Sequence, residues 1–159
     1  MSVEPLAPAD VAGCEAVLRA LPQWFAIEAS IREYVEFLAT APGFVARRDG
    51  ALVGFVGIRA LLPGSAEIEV MAVRRELHRS GVGRALLSAV ERWCAGAGVR
   101  WLVVKTRGAS APDPDPEYAA TRAFYRALGF EPLFETTAFW GPQDPTLVSV
   151  RPLAGPREP

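Results

Sequence analysis

Histidine and lysine each occur once in this chain, as His78 and Lys105, and cysteine occurs only twice. Cys14 and Cys94 fall in segments of helical pattern at no metal-like spacing. Neither a metal centre nor a disulfide framework is expected, and a reducing, cytoplasmic setting fits best. A catalytic thiol needs a partner base. His78 is the single histidine available, so both cysteines read as structural. There is no basic surplus either. Lysine and arginine total 17 against 18 aspartates and glutamates, a formal net charge of -1, which argues against a nucleic-acid binder. No apolar run approaches the ~20 residues of a membrane span. The opening MSVEPLAPAD lacks the basic start and apolar run of a signal peptide, so no membrane partner is expected.

What is present is a globular composition, 50% hydrophobic and 22% charged over 159 residues. That is the size of one domain with a real core. Residues Ser2 to Leu6 read as a strand. Pro8-Ala9-Asp10 starts a helix with Val11, Cys14, Val17, Leu18 and Leu21 at helical spacing. Ser30 and Glu33 have capping-box spacing and open a second helix, with Ile31, Tyr34, Val35 and Leu38 on one face. It ends near Pro42-Gly43. GFVARR and ALVGFVGIRAL flank Asp49-Gly50, a hairpin signal. AEIEVMAV is the next strand, and a helix follows from Gly81 to about Ala95. WLVVKT is a strand, YAATRAFYRAL a helix ended by Gly129, and PLFETTAFW and TLVSVRPL are two last strands. This order predicts an α+β (mixed α/β) domain over residues 1–153. Its central mixed sheet has six to seven strands and about four flanking helices. Residues 154–159 read as a flexible tail.

Between the AEIEVMAV strand and the helix after it lies HRSGVGRALL. A loop here exposes backbone N–H groups at the positive end of the helix. Gly81 and Gly83 leave room for close approach, and Arg79 and Arg84 add charge. Taken alone, the segment is equally well a simple turn. The dinucleotide pattern G-x-G-x-x-G fails at Leu86, and the P-loop's Gly-Lys-Ser/Thr ending is missing. The preceding strand places Glu67 and Glu69 on one face at period 2. Glutamate is disfavoured in strand interiors, so that face borders either a cleft or solvent.

Three features carry a resemblance to a known family. IEVMAVRRELHRSGVGRALL resembles the signature strand and Q/R-x-x-G-x-G/A pyrophosphate loop of the GNAT superfamily of acyl-CoA-dependent N-acyltransferases. RAFYRALGF resembles that family's Tyr-x-x-x-Gly-Phe helix end. The β/α order agrees across residues 1–152. Two letters depart from the pattern: His78 stands where Gln or Arg is usual, and Tyr118 where Asn is frequent.

The resemblance implies acetyl-CoA, or another short acyl-CoA, as cosubstrate. Its pyrophosphate is expected on Arg79, Ser80, Gly81, Val82, Gly83 and Arg84. Its pantetheine arm is expected along Met71, Ala72 and Val73, where a free backbone N–H also stabilises the developing oxyanion. Tyr125 is implied as general acid, and Glu67 or Glu69 as a base working through water. The acceptor is expected to be a small-molecule or peptide amine. Trp24, Phe25, Tyr34, Phe139 and Trp140 are candidate walls of its site, or core aromatics. Asp113, Asp115 and Glu117 either attract a cationic amine or belong to a solvated Pro-rich loop. A homodimer is compatible with the family. A catalytically silent acyl-CoA-binding sensor is the alternative to an enzyme.

Overall fold

Strand burial orders the sheet. The computed structural model describes residues 1–113 and 115–153; the expected tail, 154–159, lies outside the described residues. β3 (Ala51–Ala60) is buried continuously from Leu52 to Ile58, the mark of a central strand covered on both faces. β2 (Gly43–Arg48) joins it through a tight turn in which Asp49 and Gly50 have φ of 52° and 81°. Those positive values are what the Asp-Gly signal requires. β1 (Ser2–Pro5) lies outside β2, and β4 (Ser65–Val73) lies on the other side of β3. β5 (Trp101–Arg107), β7 (Thr146–Pro152) and β6 (Glu131–Thr136) complete seven strands in the order β1-β2-β3-β4-β5-β7-β6. Only β4 and β5 run parallel, across the expected β-α-β crossover.

Helices cover both faces. Cys14, Val17 and Leu18 of α1 (Val11–Arg19) and Ile31 and Leu38 of α2 (Glu28–Leu38) pack against Phe55, Val70 and Ala72. On the opposite face, Leu86, Leu87, Val90 and Cys94 of α3 (Val82–Gly96) and Tyr125 of α4 (Pro116–Ala127) pack against Ile58, Ile68 and Leu102. Burial pushes the Cys14 thiol up to about 12 and Cys94 to about 11, so neither forms a thiolate at neutral pH. Among the described residues no helix is long and apolar enough to cross a membrane.

Two local expectations are corrected. Ser30 does not cap α2, which begins at Glu28 with Ile27 at its N-cap and no side-chain cap. Ile31 N–H already donates to the Ile27 carbonyl at 3.1 Å, so the helix starts upstream and Ser30 lies inside its first turn rather than at its N-cap. The PLFETTAFW strand stops at Thr136. There the Thr136 hydroxyl accepts the Ala138 N–H at 3.1 Å, a side-chain turn that diverts the backbone. Phe139 and Trp140 therefore sit in a turn.

Candidate active site

β4 and β5 pair only from Ser65–Trp101 to Ile68–Val104. Beyond that point β4 continues against β3 as far as Val73, and β5 continues against β7 as far as Arg107. The two strands part, so Met71, Ala72 and Val73 keep one edge without a strand partner. β4 also carries a bulge. Gly57 opposes Val70 and Ile58 opposes Ile68, which leaves Glu69 as the extra residue. The parting opens into a cleft of about 810 Å³. Its lining includes Met71, Ala72 and Val73, then His78, Arg79 and Gly83, then Thr121, Phe124 and Tyr125 of α4. Leu21, Trp24 and Phe25 close it from the α1–α2 connection.

The glycine loop is shaped to meet an anion. Arg79 and Gly81 both have positive φ, 61° and 91°. Gly81 precedes α3 with no side-chain cap. The first helical bond closes from Ala85 N–H to Gly81 O at 3.0 Å, so the amides of Val82, Gly83 and Arg84 point outward unpaired within the helix. Gly83 is small for a packing reason: a Cβ there would lie 3.0 Å from Phe124 Cζ. His78 donates from Nε2 to the Val73 carbonyl at 2.8 Å. It braces the loop against the end of β4, and its ring meets Trp24 edge-on at 5.6 Å.

Tyr125 is 7% exposed and lines the cleft. Its ring packs between Phe124 and Phe130 at 5.1 and 5.3 Å. Burial holds the phenol well above its ordinary value. It is therefore protonated at neutral pH, the form a general acid needs.

The two glutamates point to the other face of the sheet. Ala66 and Ile68 enter the α3–α4 core, so the alternate residue Glu67 faces α2. Glu67 is 5% exposed and accepts from Lys105 Nζ at 3.0 Å. Its carboxyl is raised above the usual range, by burial first, against the opposing pull of Lys105. Glu69 is less buried and binds Arg59 Nε at 2.9 Å. Tyr34 of α2 packs edge-on with Phe25 at 5.9 Å. Its phenol is raised by burial and then by the charges of Glu69, Glu33 and Glu67.

Of the expected site, the cleft thus unites Met71, Ala72, Val73, Arg79, Gly83, Tyr125, Trp24 and Phe25. Ser80, Gly81, Val82 and Arg84 follow in the same loop and helix start. Glu67, Glu69 and Tyr34 do not line the cleft, but flank the parting strands from the α2 face. Trp140 is 44% exposed and Phe139 54% exposed in the turn after β6; the Phe139 ring lies 4.7 Å from Lys105 Nζ. The acidic loop is tied to two arginines. Arg107 binds Asp113 and Asp144 at 2.5 and 2.8 Å. Asp115 caps α4 by accepting from Glu117 and Tyr118 N–H, and Glu117 pairs with Arg75 at 2.9 Å. Tyr118 turns toward the α1–α2 connection and donates to the Trp24 carbonyl at 3.4 Å. Sequence reasoning missed Lys105, Arg59 and Arg107. A charged residue inside the apolar run WLVVKTR was the available signal.

A parallel pair that parts over a glycine-rich helix start, facing a buried tyrosine, is the arrangement that the resemblance to acyl-CoA-dependent N-acyltransferases implies. Comparison with known proteins agrees. The family described as acetyltransferase (GNAT) domain matches residues 39–132. An aminoglycoside N(6')-acetyltransferase type 1 of Stenotrophomonas maltophilia is 33% identical over 156 residues, covering 91% of this chain and 95% of that protein. The aminoglycoside 6'-N-acetyltransferase of Enterococcus faecium superposes with a TM-score of 0.77 at 16% identity, covering 100% of both chains. The ribosomal-protein-S18-alanine N-acetyltransferase of Escherichia coli gives 0.76 at 20% identity, covering 99% of this chain and 98% of that one. The chain belongs to the GNAT family of acetyltransferases.

Proposed function

We propose that the protein moves an acetyl group from acetyl-CoA to a primary amine by direct attack in a ternary complex. The observation that carries this reading is the parting of β4 and β5 beyond Ile68 and Val104, which brings the open edge of Met71–Val73 and the Tyr125 ring into one cleft. The residues present fit an acyl-CoA. Unpaired amides at the start of α3 suit a pyrophosphate, and the open edge of β4 suits an amide-bearing arm. Arg79 and Arg84 add charge at the same loop.

In the reaction, an amine that is mostly protonated at neutral pH first loses a proton. Glu67, held above the usual carboxyl range by burial, takes it through a water. The amine nitrogen bonds the thioester carbon, the C–S bond breaks, Tyr125 donates its proton to the leaving thiolate, and the second proton of the attacking nitrogen returns to the Tyr125 phenolate as the amide forms. A backbone N–H of the bulged β4 segment meets the oxyanion.

The acceptor is a small-molecule or peptide amine. Aminoglycosides come first in a screen because the curated relative carries that name. Thiol release from acetyl-CoA across aminoglycosides, polyamines, amino acids and peptide amines tests the reading. Release that depends on an amine supports it. Stabilisation by acetyl-CoA without release from any amine points instead to an acyl-CoA-binding module.

A further inference from the structure

Lys105 is the chain's single lysine. It is the first residue of β5 past the segment paired with β4, whose last pair is Ile68–Val104. Its ammonium lies 3.0 Å from Glu67 Oε1 and 4.7 Å from the Phe139 ring centroid. The lysine is thus held on two sides, by a buried carboxylate and by the turn after β6. A carboxylate as buried as Glu67 is costly to keep charged without a partner. Arg59 of β3 is taken by Glu69. Among the described residues, Lys105 is the only cation that bonds Glu67.

We propose that Lys105 is a positioning residue for acyl transfer: its ammonium holds the Glu67 carboxylate charged and in place where β4 and β5 part. The proposal rests on the reading of Glu67 as base. The groups that face Glu67 are Lys105 on β5, Glu69 on its own strand, Arg59 on β3 and Tyr34 on α2. Burial and Glu69 favour the protonated carboxyl, whereas Lys105 and the more distant Arg59 oppose them. Removing the ammonium leaves burial and Glu69 opposed only by Arg59. The midpoint of Glu67 must then rise, and the ionised fraction at a given pH must fall.

The test follows the Glu67 carboxyl carbon by NMR in glutamate-labelled full-length protein, with the resonance assigned by its loss in Glu67→Gln. Lys105→Met is expected to raise the midpoint by about 1–3 pH units, the scale of an adjacent opposite charge. Lys105→Arg is expected to restore it. Should Lys105→Met fail to fold, acetic anhydride on folded wild-type protein neutralises the same side chain, and mass spectrometry locates the modification at the single lysine. An unmoved midpoint in folded Lys105→Met or in the acetylated protein overturns the proposal. In a second arm, the acid limb of kcat/KM follows the NMR midpoint in all three proteins. A limb that stays while the midpoint moves removes Lys105 from the reaction, and also overturns Glu67 as base. A limb abolished by Glu67→Gln, with neither limb nor midpoint moved by Lys105→Met, leaves the base in place and overturns the role of Lys105 alone.

Discussion

Trp24 donates its indole N–H to the Thr121 hydroxyl at 3.1 Å, which ties the α1–α2 connection to α4 across the mouth of the cleft. Residues 97 positions apart thereby form one wall. Thr121→Val should cost about 1 kcal/mol of stability, the net worth of a typical hydrogen bond. Because Trp24 lines the cleft, acetyl-CoA should change the protein's tryptophan emission, and Trp24→Phe should remove most of that change. Emission that responds equally in Trp24→Phe places the ligand elsewhere.

Tyr125 packs its ring between two phenylalanines and lines the cleft. Tyr125→Phe keeps the ring packing and should leave the melting temperature nearly unchanged. It should lower kcat by roughly 10²-fold or more, the scale of a lost acid–base group, with acetyl-CoA affinity little altered. Steady-state kinetics beside direct binding separates the two effects, and a variant with wild-type turnover removes Tyr125 from the chemistry.

The two glycines of the loop should respond to substitution for different reasons. Nothing lies within 4 Å of a Cβ built on Gly81, but its φ of 91° strains any L side chain. Gly81→Val should therefore be worse than Gly81→Asn, which tolerates the left-handed region. Gly83→Ala instead presses on the Phe124 ring at 3.0 Å and should disturb the contact between α3 and α4. Melting curves and acetyl-CoA titrations on the three variants rank them.

The raised Glu67 carboxyl fixes the direction of the pH profile. The ionised form is the base, so kcat/KM should fall as pH drops through a value above 4.5, the ordinary carboxyl value. Glu67→Gln should remove that limb, and Glu69→Gln should keep it. The two thiols make a control. With Cys14 near 12 and Cys94 near 11, iodoacetamide at pH 7 should leave activity intact.

Much of the architecture was legible because apolar period and turn residues are local signals. Asp49-Gly50, the glycine loop and the alternation in AEIEVMAV each act within a few residues, and the element order followed from them. The helix and strand ends were less legible. Ser30 had the letters of a cap, yet the Ile27–Ile31 bond had already started the helix upstream. The parting of β4 from β5 was not legible at all, because it depends on how far two distant strands stay paired. Nor was the fate of the charges. Glu67 meets Lys105 and Asp113 meets Arg107 only through the sheet and its loops. His78, the irregular letter of the loop, took its role from the Val73 carbonyl, which the chain folds back to meet.

The account's central claim is direct transfer within one ternary complex. Rapid-quench analysis of the enzyme–acetyl-CoA complex mixed with a turned-over amine measures it. The predicted result is acetylated amine appearing in step with free CoA, with no acetyl group on the protein at any time. Acetylated protein that forms first and then decays to product contradicts the claim.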